Sequence, residues 1–270
     1  ITYCDNDPQF YKLKKFFFHI KFISVQNGYR FYKSDLFSTL KKKEIKNLSC
    51  DYIFCFNEFI AKFYEKFINC KTVVIGSVKN NSVSKSNFNK DRHCLFVSSY
   101  GVSKLKIEKK ILNIINNFCK ENSLQLKILS RRGEEEEKKF YLNINPKLEV
   151  IEQSNDYKTS YKLIDKALLV VSLNNTLGYE SISRNNKTIF LNLNDREINC
   201  SSYIKYAWPM KFKDKGPFWT NNFNENQIKE ILEDILKMKN SEWNEISKKF
   251  SAINLHDNLI LHNIINKSLN

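Results

Sequence analysis

The chain has 270 residues, enough for two α/β domains, and its 42% hydrophobic and 14% aromatic content excludes a disordered polypeptide. Its formal charge of +15 is spread over the whole length among abundant Asn, Ile and Phe, which argues against a nucleic-acid footprint and leaves an anionic substrate or an anionic membrane surface as partners. No run reaches the roughly 18 apolar residues of a spanning helix, no signal-peptide pattern opens the chain, and seven scattered cysteines without zinc spacing indicate reduced thiols in a cytosolic protein.

Ile1–Cys4 reads as the end of a strand rather than a natural start, so at least one strand and helix are expected upstream. It runs into Asp5–Asn6–Asp7–Pro8. Phe22–Val25 is a second strand, closed by the loop Gln26–Asn27–Gly28–Tyr29–Arg30. A helix over Leu36–Leu48, a strand over Cys50–Phe56, a helix over Glu58–Phe67 and a strand over Thr72–Ile75 follow. Strands alternating with helices imply parallel βα units. The segment Lys14–Phe22, KKFFFHIKF, interleaves aromatics with lysines. Its preferred reading packs Phe16–Phe18 into the core; the second rests them on an anionic membrane surface.

Residues 1–82 are thus expected to form a first, incomplete Rossmann-like domain, and residues 83–92, rich in Ser, Asn and Lys, a linker. A second alternation occupies 93–254: strands at His93–Ser98, Leu124–Leu129, Leu148–Ile151, Ala167–Ser172 and Lys187–Asn192. Between them lie a helix over Lys104–Glu121, an acidic helix start at Glu134–Glu137 and a short helix over Tyr157–Ile164. Asn224 caps a later helix with Gln227 at its third position. A terminal helix within 255–270 is expected to pack back on the first domain. The fold class is α/β, two Rossmann-like domains.

In open parallel sheets, ligands bind beyond the carboxyl ends of the strands. Four loops fit that place in the second domain or its edge: Ser98–Gly101, Ser130–Gly133, the stretch from Ser172 to Ser181, and Gly216–Trp219. In the third, Asn174, Asn175 or Thr176 can cap a helix beginning near Leu177, whose first amides favour an anion. Gly178 either lets that anion approach the backbone or lets the helix press on the sheet. Glu180, one turn in, can accept from ribose hydroxyls, and Arg131 can clamp phosphate oxygens. Ser99 and Tyr100 flank the same edge. On the first domain, Asp5 is a candidate general base toward an acceptor hydroxyl, with Asn6, Gln26, Asn27 and Arg30 beside it; its alternative is an Asx-turn before Pro8. No metal and no cofactor are indicated.

SVQNGYR, VIGSVKNN and NNTLGYES together resemble bacterial surface carbohydrate biosynthesis proteins of capsule and lipopolysaccharide assembly, which are GT-B-type glycosyltransferase-like. The resemblance spans the chain from Asp5 to Trp219. It implies a nucleotide-sugar donor held against the second domain by Thr176, Leu177, Gly178, Glu180 and Arg131. A glycan or lipid-linked acceptor would face the first domain, in a cytoplasmic protein peripheral at the inner membrane. Two departures stand out: Asn174 replaces a frequent serine, and Asn27 replaces the histidine of a Q-H-G loop, removing a group that can take up a proton. Activity of this chain by itself depends on what the expected upstream segment supplies. The competing functions are a nucleotide-sugar epimerase and a non-catalytic basic binding module.

Overall fold

The computed structural model describes the chain except residues 4, 31–46, 86–88, 100–104, 132, 153, 155, 174, 195–204, 255 and 270. The helix expected over Leu36–Leu48 therefore lies largely outside the described residues. Strands β1 (Ile23–Val25), β2 (Ser49–Cys55) and β3 (Asn69–Val74) form a parallel sheet in that order, and Thr2 bridges Ser24 on the outer edge of β1. A helix that the sequence reading did not include, α1 (Pro8–Leu13), opens at Asp7, whose carboxylate accepts from the Gln9 amide. Pro8 suits its first turn because no amide is needed there. Helix α2 (Glu58–Tyr64) starts at Asn57, which accepts from the Ile60 amide at 2.9 Å, and α3 (Val78–Asn81) is a single turn after β3.

The second sheet has six strands, all parallel: β4 (Asp91–Val97), β5 (Gln125–Leu129), β6 (Glu149–Ile151), β7 (Ala167–Ser172), β8 (Thr188–Asn194) and β9 (Trp219–Asn222). Their spatial order is β6-β5-β4-β7-β8-β9. The chain winds outward in one direction from β4 to β6 and in the other from β7 to β9, so the order reverses between β4 and β7. Cys94, Leu95, Phe96 and Val97 are all buried, as are Leu169, Val170 and Val171; central strands covered on both faces require such unbroken apolar runs.

Helices α4 (Leu105–Glu121), α5 (Glu135–Ile144), α6 (Lys158–Lys166), α7 (Thr176–Ser183), α8 (Glu225–Lys237), α9 (Asn240–Phe250) and α10 (Leu259–Leu269) complete the described elements. Ile107, Ile111, Ile114, Ile115 and Phe118 of α4 are buried at helical spacing, and α8 is capped by Asn224 on the Gln227 amide at 3.0 Å. Beyond α1, two further places differ from the sequence reading. Gly216–Trp219 leads into β9 instead of following a strand, so it lies at the amino edge of the sheet, away from the ligand-binding edge. Helix α9 has only Trp243 and Ser247 buried, too thin an apolar stripe for periodicity to reveal.

The two sheets are fastened to each other by specific contacts. The Tyr29 ring stacks on Tyr179 at 3.9 Å between centroids, and Asn57 Nδ2 donates to the Ala252 carbonyl at 2.6 Å. Arg184, fully buried, forms a bidentate pair with Asp165 and donates to the carbonyls of Val83 and Ser84. Leu261 of α10 packs with Ile23, Val25, Phe54 and Ile75 of the first sheet.

Candidate functional site

A cavity of about 450 Å³ opens where the strand order reverses, between the carboxyl ends of β4 and β7. Ser98 follows β4, Ser130 and Arg131 follow β5, and Asn175, Thr176, Leu177 and Glu180 come from the start of α7. Tyr157, Ser160 and Tyr161 close it from α6, while Asn27 and Lys79 reach it from the first sheet. Five of the residues singled out in the second domain or its facing loop thus converge there: Asn27, Arg131, Asn175, Thr176 and Glu180, with Leu177 as apolar lining. The carboxyl ends of parallel strands bring them together although 153 positions separate the first from the last.

The start of α7 is built by Asn175. Its side chain accepts from the Leu177 amide at 2.9 Å, and its Nδ2 donates to the Ser98 carbonyl at 3.2 Å, tying the helix to β4. The Gly178 amide bonds the Asn175 carbonyl at 3.1 Å. Two of the amides expected to point at an anion are therefore spent on the cap, and Thr176 has the first-turn amide that the cap does not use. Thr176 Oγ1 accepts from the Tyr29 amide at 3.0 Å, which fixes the first domain's loop against the helix.

Gly178 serves packing. A Cβ at this position would lie 2.3 Å from Ser172 Oγ and 2.7 Å from the Phe190 ring, on the sheet side of the helix and away from the cavity. Of its two readings, close helix–sheet approach is the one that the geometry supports.

Glu180 is buried and accepts from Ser77 Oγ at 2.5 Å. Burial drives its carboxyl up to about 7, against the opposing hydrogen bonds from the Ser77 and Tyr161 hydroxyls. Among the described cavity-lining residues it is the one carboxyl, and Arg131 and Lys79 are the cations. The electrostatic balance of the cavity therefore favours an anionic occupant.

Asp5 is corrected from base to strut. It is fully buried and pairs with Arg30 at 2.7 Å; it also accepts from the Asn27 amide at 3.0 Å and from the Tyr64 hydroxyl. A carboxylate with those partners and no solvent access cannot reach an acceptor hydroxyl. Arg30, equally buried, also bonds Asn27 Oδ1 at 2.8 Å, so the Asp5–Arg30 pair shapes the loop that presents Asn27. Gln26 braces the same loop, donating to the Gly28 carbonyl and accepting from the Phe56 amide, both at 2.9 Å. Asn6 is exposed and outside the cavity lining. Ser99 is buried and donates to the Leu173 carbonyl, a brace between the β4 and β7 ends rather than a ligand contact. Tyr100 and Asn174 lie outside the described residues.

Sequence reading did not include Lys79, Tyr157, Ser160 or Tyr161, and reached Ser130 only as the first residue of the loop that carries Arg131. Lys79 stands in the GSVKNN loop after β3, at a strand end that could have marked it. The α6 residues carried no such signal, because only the fold turns that helix's start toward the cavity. Behind the cavity, Glu137 accepts from Ser98 Oγ at 2.6 Å and from the Arg131 amide at 2.8 Å, which fixes where the Arg131 side chain begins.

Two parallel sheets, a reversal of strand order and a cavity between the sheets define a GT-B-type α/β fold. S. aureus TarM, solved with UDP, superimposes at TM-score 0.53 with 14% identity over 91% of this chain and 50% of its own. S. aureus MnaA, solved with UDP, gives 0.57 and 14% over 90% and 67%. The wall teichoic acid polymerase TagF gives 0.51 and 12% over 92% and 67%. The chain thus spans about half the length of TarM. No curated protein matches the sequence. Residues 23–117 and 105–269 match the family described as "putative O-antigen biosynthesis protein", and the chain belongs to that family.

Proposed function

We propose that the protein transfers a sugar from a nucleotide-sugar donor to a surface-polysaccharide or lipid-linked acceptor, at the cytoplasmic side of the inner membrane. The observation that carries this reading is the cavity at the strand-order reversal, with Arg131, Lys79 and the start of α7 around one buried carboxyl raised to about 7. Arg131 and the Thr176 amide are placed to take the donor's phosphates, and Glu180 to meet ribose hydroxyls. As the bond to the anomeric carbon breaks, negative charge grows on the departing phosphate, and those fixed donors stabilise it without reorganising. Asn27 lies on the opposite wall, toward the acceptor side. The family membership and the likeness to TarM and TagF point the same way.

Epimerisation of a nucleotide sugar is the second reading, favoured by the likeness to a putative UDP-N-acetylglucosamine 2-epimerase from Listeria monocytogenes, which superimposes at TM-score 0.58 with 12% identity over 96% of this chain and 69% of its own. Moving a proton on the sugar ring calls for carboxylates at the ring, and the described cavity lining offers Glu180 alone. Thermal-shift titration with UDP, CMP and GDP tests the binding step. One of them is expected to stabilise the protein, and Arg131→Ala to weaken that nucleotide roughly tenfold or more while the unliganded melting temperature holds. Absence of a shift with every nucleotide would sink both readings. Product analysis with donor and acceptor then separates transfer from epimerisation.

A further inference from the structure

The segment from Leu13 to Lys21 does not enter the core. Leu13, Phe16, Phe17, Phe18 and Ile20 are 44, 65, 43, 81 and 46% exposed, a contiguous apolar surface that a soluble fold gains nothing by displaying. The preferred sequence reading, which hid Phe16–Phe18, fails for a local reason. The interior below is already filled by Tyr11 and Phe22, with the Phe10 ring 5.0 Å from that of Phe22.

The chain holds these side chains outward by dedicated bonds. Lys14 donates to the Ile20 carbonyl at 2.6 Å and pairs with Asp51 at 2.7 Å, stapling both ends of the loop to β2. Asp51 also accepts from the Phe22 amide at 2.7 Å. Inside the loop, the Phe16 amide bonds the Leu13 carbonyl at 2.9 Å and the Ile20 amide the Phe17 carbonyl at 3.0 Å. An ordered loop pays its ordering entropy before any partner arrives.

Charge selects the partner. Residues 8–22 contain four lysines and no carboxylate. Lys14 and Lys21 share the single carboxylate Asp51, at 2.7 and 3.8 Å, and Lys21 and Lys15 remain exposed at the edges of the apolar surface. Protein interfaces are poor in lysine at their centres, while aromatics flanked by lysine suit the headgroup level of an anionic bilayer. Among the described residues no helix is long and apolar enough to cross a membrane, so contact through this loop would be peripheral. We propose that Leu13, Phe16, Phe17, Phe18 and Ile20 insert into the surface of an anionic lipid bilayer, with Lys15 and Lys21 on its headgroups. The loop precedes β1, so it lies at the opposite edge of the first sheet from Asn27. The inference therefore does not rest on what the cavity binds.

Vesicle co-sedimentation of the full chain tests it, using phosphatidylcholine alone and with about 30 mol% phosphatidylglycerol. The protein is expected to pellet with the anionic vesicles, and roughly tenfold less on neutral vesicles or at ~0.5 M salt. F16S/F17S/F18S is expected to reduce binding by at least about tenfold with an unchanged melting temperature, since the three rings are exposed. Phe18→Trp supplies a second readout: its added emission should shift to the blue on anionic vesicles. A chain that stays in the supernatant with both vesicle types would overturn the proposal, as would unaltered binding of the triple variant. Patch-dependent dimerisation without lipid binding would reassign the surface to a second copy.

Discussion

Glu180 shows how far one side chain can be pushed by its surroundings. Its carboxyl titrates near 7 in the folded protein against an ordinary value of 4.5, so the folded state holds its proton more tightly than the unfolded one. Stability from this group is therefore full below about pH 4.5 and declines as pH rises toward 7. Glu180→Gln keeps an acceptor for Ser77 without the charge. It is expected to flatten the dependence of melting temperature on pH between about 5 and 8, and to be the more stable form at pH 8 by on the order of 2–3 kcal/mol. Asp5 is buried in a different way, against the Arg30 guanidinium at 2.7 Å. Asp5→Asn removes the carboxylate that pairs with the buried Arg30 guanidinium and is expected to cost about 3–5 kcal/mol, read as a lower urea midpoint.

At the scale of elements, α7 is pressed so closely on β7 and β8 that Gly178 has no room for a methyl group. Gly178→Ala is expected to destabilise by about 1–3 kcal/mol, while the folded fraction keeps its nucleotide affinity. A large loss of affinity with unchanged stability would return Gly178 to the anion path. The elements legible in the sequence were those that physics marks locally: unbroken apolar runs such as Leu168–Val171, the helical spacing of Ile107 to Phe118, and the Asn224 cap. Helix α1 escaped because six residues carry too little periodicity, and β9 because Trp219 and Thr220 sit amid loop-like Gly216–Pro217 and Asn221–Asn222. At the site, Arg131, Asn175, Thr176 and Glu180 were found because strand ends announce themselves. Asp5 was misjudged because burial is a property of the fold: nothing near DNDP discloses Arg30, Tyr64 or the Asn27 amide as partners.

For the whole molecule, the joint between the sheets depends on a few buried polar groups. Arg184 bonds Asp165 on its own side and the carbonyls of Val83 and Ser84 in the connecting segment. Arg184→Met removes the bidentate partner of Asp165 and the donor to those carbonyls. The expected outcome is a loss of about 3–5 kcal/mol in urea unfolding. A column of rings runs from Tyr29 through Tyr179 and Tyr206 to Trp219, with successive centroids 3.9, 5.5 and 4.5 Å apart. It crosses from one sheet to the other beside the cavity's inner wall, where Tyr29 also grips Thr176. Swinging the sheets apart at that wall would unstack Tyr29 from Tyr179 and break the bond between Tyr29 and Thr176. Opening on the Tyr29 side would therefore cost ring stacking as well as a hydrogen bond, so the aromatic column stiffens the joint at that wall.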